Sequence, residues 1–541
     1  MAKFKIDDRE FEAPVGTNVL QFALDHGIEV PYYCYHPGLS VAGNCRMCIV
    51  KVMSGPRPAL MSSCTIPVTE GLVVDTKSAD VKKARESVLE FQLINHPLDC
   101  PVCDRAGECW LQDYSFAHGK DHSRFKEAKV QKHTKDLGPL IKIWGNRCIV
   151  CTRCVRFCQE VTGTSELTVV NRGDRSVIDV FPGIPIDNPM SLNVVDICPV
   201  GALISKDFLY TARVWHLDGA DSVCATCSRG CNLRVDVLED EVKRLVPRRN
   251  DPVNGHWMCD EGRLNYKYAR EPKRLREFRR AGEDGRKSSF TGVMASLAER
   301  LQEVKRSGGA VVGVCSAWMT NEELWLFKKL VVDGLGAKAV GCLVKPDGPS
   351  WKAQNGFRIE ADRNPNRRGV EAILGKDVLV DGVEKVIRVF KHQEVALAYV
   401  ANGIPGFAGP SYLVEALRSA KTSVLQDIHD GPLAAAAQVV LPGATPFEKD
   451  GTFVNVDGRV QRLRTACDPP GQATRDIEIY QALLRGLGAA DPVVSAEGVF
   501  RKVAEEVPAF SGMTYRQIGT QGAMPTAGPE GTPAPAGAAN A

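Results

Sequence analysis

Cysteine placement constrains this chain more than any other feature. Sixteen of its nineteen cysteines lie between Cys34 and Cys259, mostly in C-x2-C pairs, while Cys315, Cys342 and Cys467 stand alone. The chain opens Met1-Ala2-Lys3-Phe4-Lys5 and moves straight into strand-like alternation, so no export signal is expected. Clustered thiols in such a chain read as metal ligands rather than disulfides, which staple mostly short exported chains. No apolar run approaches the roughly 20 residues of a membrane helix, so the chain is expected to be cytoplasmic. A net charge of +3 gives no electrostatic argument for nucleic acid. At 541 residues it is too long for one core.

Periodicity places the motifs. Phe4 to Phe11 predicts a hairpin turning at Asp7-Asp8. A helix is expected after a Thr17 cap, with Val19, Leu20, Ala23 and Leu24 on one face. A second is expected after Ser78, with Val81, Ala84, Val88 and Phe91 at helical spacing, leading to His96-Pro97. The basic stretch from Lys120 to Lys135 predicts a solvated surface or a linker. Beyond residue 290 the pattern becomes α/β: Ala310-Val311-Val312-Gly313-Val314 reads as a buried strand, followed by a helix from Asn321. The Gly-, Pro-, Ala- and Thr-rich end predicts a disordered tail.

Four ligand sets follow one another. Cys34-x10-Cys45-x2-Cys48-x15-Cys64 offers four thiolates from one long loop in a β-rich context, with Gly43 letting backbone amides approach. This layout is similar to plant-type [2Fe–2S] sites, although its first gap is ten residues rather than four, and a structural zinc is the alternative. His96-x3-Cys100-x2-Cys103-x5-Cys109 leaves one position of a [4Fe–4S] site without a cysteine; from the residues alone His96 is either the fourth ligand or a helix-end cap. A neutral imidazole there should raise the potential, as in Rieske centres. Cys148-x2-Cys151-x2-Cys154-x3-Cys158, with Cys198-Pro199 later, is close to the bacterial ferredoxin run, whose fourth cysteine serves a second cluster. The segment before Cys198 lacks the second triplet, so Cys148, Cys151, Cys154 and Cys198 are the expected ligands and Cys158 a buried apolar thiol. Cys224-x2-Cys227-x3-Cys231-x27-Cys259 resembles the [4Fe–4S] domain that opens molybdopterin-dependent formate dehydrogenases and nitrate reductases, with a zinc ribbon as the alternative.

The order of these sets resembles the large G-type subunit of respiratory NADH:quinone oxidoreductase, complex I. Asp99 to Cys109, Asn146-Arg147-Cys148-Ile149, Cys151-Thr152-Arg153-Cys154 and Asp196 to Leu203 carry the resemblance. It makes His96 a ligand. Later stretches, Val439-Val440-Leu441-Pro442, Glu448 to Phe453 and Val454 to Gln461, resemble the C-terminal part of the family's molybdopterin-oxidoreductase-like domain.

The resemblance implies a multidomain α+β chain. A [2Fe–2S] ferredoxin-like β-grasp domain is expected at 1–77, a His/Cys3 [4Fe–4S] domain at 78–137 and a ferredoxin-type [4Fe–4S] domain at 138–216. A molybdoenzyme-type [4Fe–4S] domain at 217–275, an α/β molybdopterin-oxidoreductase-like domain at 276–505 and a disordered tail at 506–541 complete it. The 276–505 region is much shorter than its counterpart, so no molybdopterin is expected. The implied role is electron transfer from a flavin- and NADH-binding subunit toward a quinone-facing subunit, coupled to ion translocation. Other peripheral-arm subunits are implied partners. The chain would lie on the cytoplasmic side of the plasma membrane, attached only through the complex. On the same ground the Cys224 set is a side branch.

Two other functions fit parts of this pattern: the iron–sulfur diaphorase subunit of a soluble NAD-linked hydrogenase, and a formate dehydrogenase. A catalytic iron hydrogenase would need more cysteine motifs beyond residue 260, and a molybdoenzyme a metal-binding residue soon after Cys259. No substrate site is expected on this chain. Gly369 to Lys376 misses the P-loop spacing by one residue and has Asp377 for Ser/Thr, and no G-x-G-x-x-G follows a strand.

Overall fold

A computed structural model of the chain describes residues 1–280, 289–489 and 495–525. It divides into two units: Met1–Leu217 with Lys352–Phe357, and Asp218–Trp351 with the chain from Arg358 onward.

The first unit opens on a five-stranded sheet, ordered Arg9–Ala13, Ala2–Ile6, Val73–Asp75, Ile49–Val52 and Ala59–Ser62. Period-two alternation turns Ala2, Phe4 and Ile6 inward. They pack on the helix Val19–Asp25, where Phe22 meets Phe4 edge-on at 4.9 Å. The hairpin turns at Asp7, whose φ is +52°. Asn18, not Thr17, caps the helix: its side chain accepts from the Gln21 N–H, while the Thr17 hydroxyl donates to the Pro14 carbonyl. The next helix, Ala79–Leu93, starts after Ser78 without a hydroxyl cap. It buries Val81, Arg85 and Leu89 and leaves Phe91 73% exposed. Arg85 belongs to the inner face because its guanidinium donates to the Ile49 carbonyl at 3.0 Å while its stem packs. The helix Trp110–His118, a three-stranded sheet (Leu203–Ser205, Ile141–Trp144, Thr134–Asp136) and the hairpin Leu167–Val170/Val177–Val180 complete the elements that frame the ligand loops.

The second unit begins with the antiparallel strands Asp218–Val223, Asn232–Leu238 and Glu241–Pro247. A six-stranded sheet follows, ordered Arg279–Arg280, Val439–Pro442, Thr422–Asp427, Val395–Ala401, Ala310–Ser316 and Ala339–Leu343. All neighbouring strands are parallel except the first, short edge pair. Buried on both faces, Ala310–Ser316 reads as a continuous apolar run. Thr320 and Glu323 form a reciprocal cap on the helix Asn321–Phe327. The segment 508–523, expected as part of a disordered tail, is folded. Phe510, Met513, Tyr515 and Ile518 fill the core, and Ala523 exchanges backbone hydrogen bonds with Val460. Residues 526–541, the rest of the expected tail, lie outside the described residues.

The chain switches sides of the sheet between Ala310–Ser316 and Val395–Ala401, the place where open α/β sheets bind ligands. Here that crevice is filled. Lys449 lies buried with its ammonium 2.9 Å from Glu323 and 3.3 Å from Asp476. Trp318, Asn402, Asp427 and Tyr480 close round a cavity of about 20 Å³, room for one water. Removing Lys449 would leave the buried Glu323 and the partly buried Asp476 without their cation. Lys449→Met is therefore expected to destabilise the protein by about 3–5 kcal/mol, read as a lowered urea midpoint, with Lys449→Arg closer to the parent.

Candidate functional site

The first cysteine set sits on the loop between the helix Val19–Asp25 and the strand Ile49–Val52, completed by Cys64 from beyond the next strand. Cys34, Cys45, Cys48 and Cys64 are all buried. The Cys45 thiol hydrogen-bonds to Cys34 and that of Cys64 to Cys48, so each acceptor sulfur is held below the usual thiol range and each donor above it. The Cys34 N–H points at Cys45 Sγ, 3.4 Å away. Gly43, at φ +62°, makes the bend before Cys45 that a Cβ-bearing residue adopts only with strain.

His96 follows the helix Ala79–Leu93, and Cys100 and Cys103 share one tight turn in which the Cys103 N–H donates to the Cys100 carbonyl. Cys109 immediately precedes the helix Trp110–His118. Burial pushes the His96 ring down to about 4, leaving it neutral at pH 7, the form that can offer a nitrogen lone pair to a metal. Burial also pushes the Cys109 thiol up to about 11. Gly201, from the loop after Cys198, lies so close to Cys103 that any side chain there would overlap its Sγ.

The third set gathers across more than forty residues of intervening chain. Cys148, Cys151, Cys154 and Cys198 line a single apolar pocket with Ile143, Ile178 and Val200. Cys158 does not line it; its sulfur lies beside Glu166, with no exposure to solvent. Burial first, then the neighbouring cysteines, push Cys148 to about 12 and Cys151 to about 11, and Cys154 well above the usual thiol range. The Val150 N–H points at Cys148 Sγ at 3.4 Å, from a backbone turn with φ +51°.

The fourth set belongs to the second unit. Cys224 follows the end of one strand, Cys227 and Cys231 come in the turn, and Cys259 caps the short helix Asp260–Leu264. A Cβ at Gly262 would meet Cys224 Sγ at 3.0 Å and Cys259 Sγ at 3.3 Å, which places both sulfurs around this one glycine. Its N–H donates to Cys259 Sγ at 3.2 Å. Burial raises all four thiols, Cys227 to about 12.

The donors fit iron–sulfur clusters on two counts. Backbone amides aim at sulfurs in three sets, the hydrogen bonds that tune such clusters. Glycine stands where a side chain would intrude on the sulfurs.

Sequence reasoning missed the arginines that join the sets. Arg147 forks onto Asp99 at 2.6 and 2.9 Å and lies in the field of both His96 and Cys103. Arg105 donates to the carbonyls of Asp196 and Cys198 at 3.1 and 3.0 Å. Arg156 donates to the Cys34 carbonyl at 2.5 Å and to that of Ser40. Glu160 accepts from the Ser40 N–H at 2.8 Å. Tyr33 is fully buried with a hydroxyl that finds no partner among the described residues, in the field of Cys45 and Cys109. The one signal for the arginines was their place next to, or two after, a cysteine ligand.

Known proteins match the chain in the same order. Residues 1–79 match the family described as a 2Fe-2S iron-sulfur cluster binding domain, and 85–124 the NADH-ubiquinone oxidoreductase-G iron-sulfur binding region. Residues 138–204 match the ferredoxin-like domain of NADH-quinone oxidoreductase subunit 3. Residues 219–271 match the molybdopterin oxidoreductase Fe4S4 domain, and 337–485 molybdopterin oxidoreductase itself. The chain is similar to the NADH-quinone oxidoreductase G subunit of Rickettsia conorii, at 30% identity over 94% of this chain and 91% of that one. It is also similar to the mitochondrial NADH dehydrogenase [ubiquinone] iron-sulfur protein 1 of Solanum tuberosum, at 36% identity over 84% of this chain and 62% of that one. A chain from the crystal structure of an NAD+-reducing [NiFe]-hydrogenase in the H2-reduced state matches 39% of this chain and 91% of its own length, at 30% identity. Its TM-score of 0.36 carries no argument.

The pocket geometry separates Cys154 from Cys158. Cys154→Ser is expected to lower bound iron by about four per chain, the content of one cubane, while Cys158→Ser leaves it unchanged. Iron analysis of the purified variants checks both.

Proposed function

The chain belongs to the family of the NADH-quinone oxidoreductase G subunit, the iron–sulfur subunit of that complex, and on that footing we propose that its four ligand sets hold one [2Fe–2S] and three [4Fe–4S] clusters. Cys34, Cys45, Cys48 and Cys64 hold the first. His96, Cys100, Cys103 and Cys109 hold the second, Cys148, Cys151, Cys154 and Cys198 the third, and Cys224, Cys227, Cys231 and Cys259 the fourth. The observation that carries this reading is the convergence of Cys148, Cys151, Cys154 and the distant Cys198 on one apolar pocket that excludes Cys158. Such clusters, when bound, take up and release single electrons. The chain's own residues bury the sulfurs, aim amides at them and exclude water.

The chain transfers electrons within the complex. The proposed donor is the flavin- and NADH-binding subunit and the proposed destination a quinone-facing subunit, in a reaction coupled to ion translocation on the cytoplasmic side of the membrane. No helix among the described residues is long and apolar enough to cross a membrane, so attachment through other subunits is the consistent arrangement. The filled crevice at the sheet's switch point supports a second unit without pterin, because Lys449 and its carboxylates occupy the place a ligand would need.

The reading predicts about 14 iron per chain. His96→Cys is expected to keep a cubane but lower its midpoint potential, since a thiolate adds negative charge where imidazole adds none; redox titration followed by EPR checks this. The first three sets share one unit and are joined by arginines, whereas the Cys224 set lies in the other. Because the resemblance makes the Cys224 set a side branch, Cys148→Ala is expected to abolish NADH:quinone turnover, and Cys224→Ala to retain most of it, each normalised to assembled complex because lost clusters also weaken folding. Equal loss in both would put the fourth set on the main route.

A further inference from the structure

Arg153 occupies an unusual place for a guanidinium. It lies one residue before Cys154, on the short helix Arg153–Arg156, and is only 2% exposed. Its hydrogen bonds run to two backbone carbonyls, that of Ile197 at 3.1 Å and that of Tyr35. Ile197 adjoins Cys198 and Tyr35 adjoins Cys34, so one side chain ties the third cysteine set to the first. Its plane lies over the ring of Trp110, 4.5 Å from the centroid, and Trp110 adjoins Cys109 of the second set. The guanidinium also lies over the Tyr32 ring, 5.7 Å from its centroid. No carboxylate among the described residues pairs with it; the groups in its field are the thiols Cys151, Cys198 and Cys34 and the Tyr32 phenol, which bear negative charge only when ionised or bound to metal.

A buried cation with only carbonyls and ring faces for company is poorly compensated. Arginine suits the place because its rigid fork reaches two carbonyls at once and stacks on an indole. What completes the compensation is negative charge on the two flanking sets. We propose that Arg153 is the shared counter-charge of the Cys34 and Cys148 sets and that it holds up the reduction potentials of the clusters bound there. The proposal rests on the assignment of clusters to those two sets. Each electron taken up adds one negative charge to a cluster, and a fixed positive charge nearby favours that form. At about 10 Å and an effective dielectric constant of about 20, one unit charge shifts such an equilibrium roughly tenfold. Trp110 and Tyr32 act as positioning residues for the guanidinium plane.

The test is a redox titration followed by low-temperature EPR on assembled complex, with iron determined on each sample. Arg153→Met, which keeps the stem and removes the charge, is expected to lower the midpoints of the Cys34 and Cys148 clusters by about tenfold in the one-electron equilibrium, or about 59 mV. Arg153→Lys, which keeps the charge, should restore most of the shift. If the methionine variant fails to retain iron, Arg153→Gln, neutral but still able to donate to a carbonyl, takes its place and should show the same drop. A neutral variant with full iron and unshifted midpoints would overturn the proposal, as would a lysine variant shifted as far as methionine. A parent protein without iron or EPR signals would instead overturn the cluster assignment itself.

Discussion

Burial of the ligand sulfurs is the condition on which the rest of this structure depends. Of the sixteen cysteine and histidine ligand candidates, only His96, Cys100 and Cys148 show appreciable exposure. Sulfur kept from water is a weak acid, and crowding by other sulfurs makes it weaker; Cys148 and Cys227 both rise to about 12. Loading such pockets means exchanging protons for iron, so metal binding and folding are linked in one equilibrium. The surroundings are arranged for the loaded state: amides point at Cys45, Cys148 and Cys259, and Gly201 and Gly262 leave the sulfurs room.

The second consequence of burial is a lattice of arginines. Arg105, Arg147, Arg153 and Arg156 each sit within two residues of a candidate ligand, and each donates to an atom contributed by a distant part of the chain. Carbonyl oxygens on the ligand loops lack strand or helix partners, and guanidinium forks satisfy several at once. The loops are thereby pinned to one another, so the three sets of the first unit behave as one construction.

The second unit is an α/β scaffold whose switch-point crevice is occupied by its own charged side chains. The carboxyl ends of Ala310–Ser316, Val395–Ala401 and Thr422–Asp427 still form a crevice, but Lys449, Glu323 and Asp476 turn their charges on one another inside it. Gln426 donates to Asp476 at 2.6 Å and Tyr399 donates to Gln426 at 2.7 Å, extending the network into the sheet.

Chemistry and order were legible in the sequence alone. Thiol spacing within a short loop is a local property, so the closely spaced cysteines of each set, the Asp7-Asp8 hairpin and the buried strand at Ala310 follow from neighbours a few residues apart. Alternation and helical periodicity failed where a distant partner decided the outcome. Arg85 is inside and Phe91 outside because the Ile49 carbonyl waits for a donor, a fact found in another strand. Asn18 displaces Thr17 as the cap because its amide also reaches the Cys64 carbonyl, 46 residues on. The segment 508–523 looked like tail because Gly, Pro and Ala dominate the final residues, yet a few apolar side chains at the right spacing complete a core assembled elsewhere. The junction around Arg153 is the clearest case. Its sequence shows only an arginine beside a cysteine, and only the tertiary fold, by removing water and bringing Tyr35, Ile197 and Trp110 around it, turns that arginine into a charge held between two sites.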